Sequence, residues 1–378
     1  MNTKIRSSAN ALLAFVLVHA TVVALSAQDP AAAAAFREGA AAQQRGDLQS
    51  AADAYRRAIE IEPRLAEAHT NLGAVLARLG RYEDAVVSIE RALTINPKLT
   101  AARLNLGLVH FRAGALAAAV IAFEAVHAAE PSLLQARQLL GLVLVELGRD
   151  ADAIPHLEAS AQAAEEPAVL FALGRAYSRR DDRRADTIAD RLAKLPEGKA
   201  LWHQLRGLVL QRGDRHQNAL EAFDSAAALN ADLPQLSVNV GVSRLALGDR
   251  DGARQAFNAA VVRSDRDAAA HVYLAWMDEQ DDRLVDARRH AEQAVAIEGG
   301  LAESRGLLGR ILLKQGNPEL AAPHLEAAVA TEPRNASWRF LLGQTYQRTG
   351  HTDAATREFA EARRLKEQEV ARERKTAQ

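Results

Sequence analysis

The sequence predicts an all-α protein, a solenoid of about ten stacked helical hairpins. Three observations point there. Good helix formers fill the 378 residues, only 4% are aromatic, and no run is rich in β-formers. The stretch "AEAHTNLGAVLARLGRYEDAV" at 66–86 returns as "TAARLNLGLVHFRAGALAAAV" at 100–120, 34 residues later. Gly and Pro are spaced at regular intervals instead of gathering in linkers.

Laid out by that period, each row contributes the same parts. A small residue opens the pattern at Gly39, Gly73, Gly107, Gly141, Gly174, Gly207, Gly241, Ala275, Gly309 and Gly343. In most rows an Ala follows twelve positions on, as at Ala85 and Ala253, and a large apolar residue four later, as at Ile89 and Phe257. Several rows close on Pro: Pro63, Pro97, Pro131 and Pro333. Two apolar stripes at helical spacing, broken at turns such as "RLGR" or "ALGD", make a helix pair. The small residues let the two helices approach, the large one fills the space beside them, and Pro stops the second helix. One such pair cannot bury its apolar face alone, so neighbours must stack.

The elements then follow in order. Residues 1–27 read as a secretory leader: basic "MNTKIR", apolar "ALLAFVLVHATVVAL", then "ALSAQ", with cleavage after Ser26 or Ala27. Asp29-Pro30 supplies an N-cap and a Pro for the first helix. The repeat array is placed at 32–369. It is irregular near 160–200, where the phase slips by one residue twice and Ala189 stands where neighbouring rows have Leu157 and Phe223. A bend there is the sharper alternative to tolerated drift. Pro155 and Pro323 fall early in second helices, where one lost backbone bond is best tolerated. Residues 370–378 form a charged tail whose solvated face suits the end of an array.

Composition narrows the chemistry. The formal charge is −1, which gives no wide basic face for a phosphate backbone, so nucleic acid is not expected as a partner. With no Cys, disulfides, thiolate metal sites and Cys nucleophiles are excluded. No HExxH, GxxxxGK[ST] or GxSxG motif occurs, the 11 His are scattered, and the repeats leave no room for a catalytic domain. The expectation is a non-enzyme without metal or cofactor. The leader makes it an exported protein, read as periplasmic, or inner-membrane anchored if the leader stays uncleaved.

The joint Gly–Ala–aromatic spacing, most legible in "NLGAVLARLGRYEDAVVSIERALTINP" and "LLGQTYQRTGHTDAATREFAEA", resembles the tetratricopeptide repeat family over residues 32–367. The family's Trp near the row start is mostly absent, replaced by His69, Arg103 or His271. The resemblance implies a right-handed superhelix whose first helices line a concave groove that binds a peptide or partner helix. Carried over by position, the polar contacts of that groove are Asn71, Asn105, Asn239 and Gln138. Its apolar contacts are Leu104, Leu108, Phe111, Leu142, Val145, Leu208, Val238, Val242 and Trp276. A basic ridge, Arg78, Arg112, Arg179, Arg212, Lys314 and Arg348, reads as solvated charge. The implied role is a scaffold in bacterial envelope assembly, with an accessory subunit of an envelope enzyme or a self-associating structural protein as alternatives.

Overall fold

The computed structural model describes residues 29–376, apart from 234, 264–266 and 298–301. The leader at 1–27 therefore lies outside the described residues. Among the described residues there are twenty α-helices, one short 3-10 turn and no strand. They form two compact units, the first ending at Leu236 and the second beginning at Ser237.

The first unit holds six hairpins. They are α1 (Pro30–Gln44) with α2 (Leu48–Ile61), α3 (Ala66–Arg78) with α4 (Tyr82–Ile95), and α5 (Thr100–Arg112) with α6 (Leu116–Ala129). Next come α7 (Leu134–Glu146) with α8 (Asp150–Ala163), α9 (Pro167–Arg179) with α10 (Arg184–Lys194), and α11 (Lys199–Arg212) with α12 (His216–Leu229). The second unit holds four more: α13 (Leu236–Ala246) with α14 (Arg250–Arg263), and α15 (Ala268–Gln280) with α16 (Leu284–Ile297). The last two are α17 (Ala302–Lys314) with α18 (Pro318–Thr331) and α19 (Ala336–Arg348) with α20 (Thr352–Thr376).

The local devices are those the residues dictate. Asp29 caps α1 by accepting from the Ala31 and Ala32 amides, with Pro30 at the first helical position. The turn inside each hairpin needs one residue in the left-handed region, and Gly80 supplies it at φ +77°. At Asp181, Asp214 and Asp282 the same turn position is taken by Asp at φ of 55–57°, a residue that tolerates it. Counting that position from Gly148 to Asp181 to Asp214 shows the register slipping by one residue twice.

Inside seven of the hairpins the large residue is sealed: Tyr55, Ile89, Phe123, Leu157, Phe223, Phe257 and Leu325 are 0% exposed. The fifth hairpin breaks this rule. Helix α10 has only 11 residues and ends on a 3-10 turn, Pro196–Gly198. Gly174, which elsewhere would face its own second helix, meets Leu205 of α11, with Ile188 of α10 at a longer distance. Ala189 itself is half-buried, and buried Ile188 and Leu205 are the side chains set against Gly174.

Where the Trp is absent, a hydrogen bond takes the place of its contact in four rows. His69 Nε2 lies 3.1 Å from the Pro63 carbonyl, and Arg137 and Arg339 each donate to the carbonyls of Pro131 and Pro333 at 2.7 Å. Arg103 does the same to Pro97. A polar side chain thus ties each of these first helices to the proline turn before it. No helix among the described residues is long and apolar enough to cross a membrane.

Candidate functional site

The first helices carry every residue assigned to the groove, and they differ sharply in what they leave open. On α3, α5 and α7, Asn71, Leu104, Asn105, Leu108, Phe111, Gln138, Leu142 and Val145 are all buried, none more than 6% exposed. Val238 of α13 is buried too. These side chains do not offer an open apolar surface, and the expected groove lining is corrected on that point. The cause is close packing between successive first helices, which contact one another directly at α3–α5, α7–α9 and α9–α11. The residue three before the row's Gly looks across that seam. A β-carbon on Gly306 of α17 would come within 2.7 Å of the Trp338 ring on α19.

The polar members are also largely committed to the fold. Gln138 donates to Glu166 at 2.9 Å, joining α7 to the residue before α9. Asn71 lies beside the buried Tyr55 phenol, which burial pushes up to about 12 and which donates to Gln43 Oε1 at 2.9 Å. Asn105 differs: neither its amide oxygen nor its nitrogen has a partner among the described residues.

The basic ridge is engaged as well. Arg179 donates to the Val145 carbonyl at 2.7 Å and pairs with Asp150 at 2.6 Å. Arg348 donates to the Leu313 carbonyl at 2.9 Å, Arg212 pairs with Asp181, and Lys314 pairs with Glu279 at 2.7 Å. These cations staple one repeat to the one before it. Two further buried pairs escaped the sequence reading: Arg175–Glu146 at 2.9 Å, and Asp278 held by Arg254 and Arg283. Their separations, 29 for Glu146–Arg175, 24 for Arg254–Asp278 and 5 for Asp278–Arg283, follow no common spacing that the sequence could reveal.

What stays reachable is a smaller surface. In the first unit it is Leu208 on α11, half-buried. In the second unit Asn239, Val242 and Leu245 on α13 and Trp276 on α15 are all half-buried. Val242, Leu245 and Trp276 rest on a core of Val238, Phe257 and Tyr273, whose two rings stack at 4.6 Å. The Arg250 guanidinium lies 5.9 Å from the centre of the Trp276 ring and also pairs with Asp281. A supported Trp beside an Arg and an amide is the side-chain mix that dominates protein interfaces. Among the described residues, no three His, Asp or Glu side chains are placed to hold a metal.

Family models described as TPR repeat and tetratricopeptide repeat match residues 39–80 and 66–99 in the first unit, and 241–302 and 307–370 in the second. Segments of both units thus match models of the tetratricopeptide repeat. No curated protein matches it. Among solved structures, yeast Tom70 is 14% identical, with 89% of this chain and 86% of that chain covered and a TM-score of 0.49. YrrB, described as a TPR protein with an unusual peptide-binding site, is 22% identical over 53% of this chain and 99% of its own, at a TM-score of 0.41. Four of the matched or neighbouring rows, those with His69, Arg103, Arg137 and Arg339, carry a hydrogen bond to a proline carbonyl at the position of the outer Trp.

Proposed function

We propose that this protein is a non-catalytic interaction scaffold, exported to the bacterial envelope, that holds a peptide or partner helix against its first helices. The observation that carries the reading is the patch of Asn239, Val242, Leu245 and Trp276 on α13 and α15, half-open and backed by a rigid aromatic core. The tetratricopeptide repeats support it, because a non-catalytic interaction surface is the general use of that fold. Burying two or three such side chains contributes several kcal/mol at about 25 cal/mol per Å² before ordering costs. The basic start at Lys4 and Arg6 and the small residues Ala24 and Ser26 support export to the periplasm.

A photo-crosslinking residue at Asn239, compared with one at exposed Val87, tests the site in living cells. A discrete adduct at Asn239 that Val242→Glu abolishes is the expected result. Equal labelling at both positions would move the binding surface elsewhere. N-terminal sequencing of the protein from a periplasmic fraction should start at Ala27 or Gln28, and an intact Met1 there would remove the cleaved leader.

A further inference from the structure

Helix α6 shows solvent a face that its composition suits to burial. Its sequence, LAAAVIAFEAVHAA, carries one charge in 14 residues, and a helix apolar all round is ordinarily covered on every side. Here Ala119, Val120, Ala122, Phe123 and Val126 are buried, while Ile121 is 69% exposed beside exposed Ala117 and Ala125. The equivalent position one repeat earlier, on α4, is Val87 at 68% exposed, and one repeat later, on α8, it is exposed Pro155. The His127 and His156 rings, 5.2 Å apart, tie α6 to α8. No other second helix carries an exposed Val, Ile or Leu at this position: Asp53 and Arg56 of α2 pair with each other, Ile188 of α10 is buried, and α14 has Gln255.

A carboxylate stands one turn beyond each of the three: Glu90, Glu124 and Glu158. Arg184 of α10 pairs with Glu158 at 2.7 Å, so the chain itself shows how a guanidinium meets this row. Glu90, Glu124 and Glu83, one turn before Val87, are in no ion pair among the described residues, whereas Asp84 and Asp152 are taken by Arg81 and Arg149. Helices α4, α6 and α8 carry three, one and three carboxylates, seven against the single cation Arg91. The whole chain is balanced at 47 basic to 48 acidic residues, so the excess is local to this face.

We propose that the outer face of α4, α6 and α8 docks a basic amphipathic helix of another protein. Its aliphatic side chains cover Val87 and Ile121, and its Lys or Arg residues, one turn along, pair with Glu90 and Glu124. Charge selects this occupant. A second copy across a two-fold axis would set these carboxylates against their own, and an anionic membrane would be repelled in the same way. The face belongs to second helices of the first unit, whereas the patch proposed above belongs to first helices of the second.

Fluorescence anisotropy of a Leu/Lys amphipathic helix of about 18 residues, titrated with the full chain, tests this. Saturable binding is expected. Val87→Asn with Ile121→Asn should weaken it at least about tenfold, and so should Glu90→Lys with Glu124→Lys. Val285→Asn, at an 81% exposed residue of α16, and Val242→Glu should leave it unchanged. In cells, a crosslinked adduct at Val87 that survives Val242→Glu belongs to this face. No binding up to about 100 μM would overturn the proposal. So would equal binding of a Leu/Glu helix, or a Leu/Lys complex that either double variant leaves intact.

Discussion

The Phe223 ring occupies the space that a side chain on Gly207 would need: a β-carbon built there lies 2.3 Å from the ring. Two effects oppose each other in Gly207→Ala. Helix propensity favours Ala by about 1 kcal/mol, and overpacking costs about 1–3 kcal/mol. Phe223 is 0% exposed and has nowhere to swing, so the steric cost wins. A net loss of about 1 kcal/mol is expected from urea unfolding. Gly213→Ala, at the end of the same helix with nothing nearer than 3.6 Å, should be close to neutral. Equal midpoints for the two variants would refute the close-approach account.

Arg175 and Glu146 meet at 2.9 Å with side chains 9% and 1% exposed. Removing the cation alone strands a buried carboxylate, so Arg175→Met should cost about 3–5 kcal/mol. Replacing both partners, Glu146→Leu with Arg175→Met, removes the need for charge compensation and should recover much of that loss. A double-mutant cycle by urea unfolding measures the coupling. A double variant no more stable than the single one would show that the pair is not the main partner of either group.

Much of this fold was legible because its information is local. The turn residues, the capping Asp29 and the paired Gly and Phe positions each act within one hairpin, and a period of 34 repeats them until chance is excluded. The candidate site was less legible. Position alone put Leu104 and Leu108 on an open groove, whereas packing of one first helix on the next buries them. Only Asn239, Val242, Leu208 and Trp276 of the assigned set stay half-open. Ion pairs between repeats were missed because a basic ridge at one position looks solvated until the carbonyl or carboxylate of the preceding repeat is placed beside it.

The same limit explains the fifth hairpin. Sequence set Ala189 where other rows have the large residue, whereas the residues against Gly174 are Ile188 and, from the next hairpin, Leu205. Leu205 is 0% exposed, so Leu205→Ala should leave a cavity spanning two hairpins and cost about 2–5 kcal/mol. Limited proteolysis should then open first near the 181–199 segment. Unchanged cleavage there would mean that α10 is held by Ile188 and Leu192 alone.

His290 predicts a pH response of defined sign in the second unit. Burial first, then the nearby charges of Arg289 and His271, push its imidazole from the ordinary 6.5 to about 4, against the opposing pull of Asp278 and Asp286. His271 Nδ1 sits 3.0 Å from His290 Nδ1, and Asp278 is itself held by Arg254 and Arg283. The folded state therefore binds the proton less readily than the unfolded chain. Its contribution is fully present above pH 6.5 and is lost as the pH falls toward 4. Other groups titrate in the same range, His324 pushed down by burial and Glu303 pushed by burial up to about 7, so the quantity that reports His290 is the difference between the two proteins. Between about pH 6.5 and 5 the urea midpoint of the wild type should fall relative to that of His290→Gln. Parallel profiles for the two proteins would show that His290 is protonated as easily folded as unfolded.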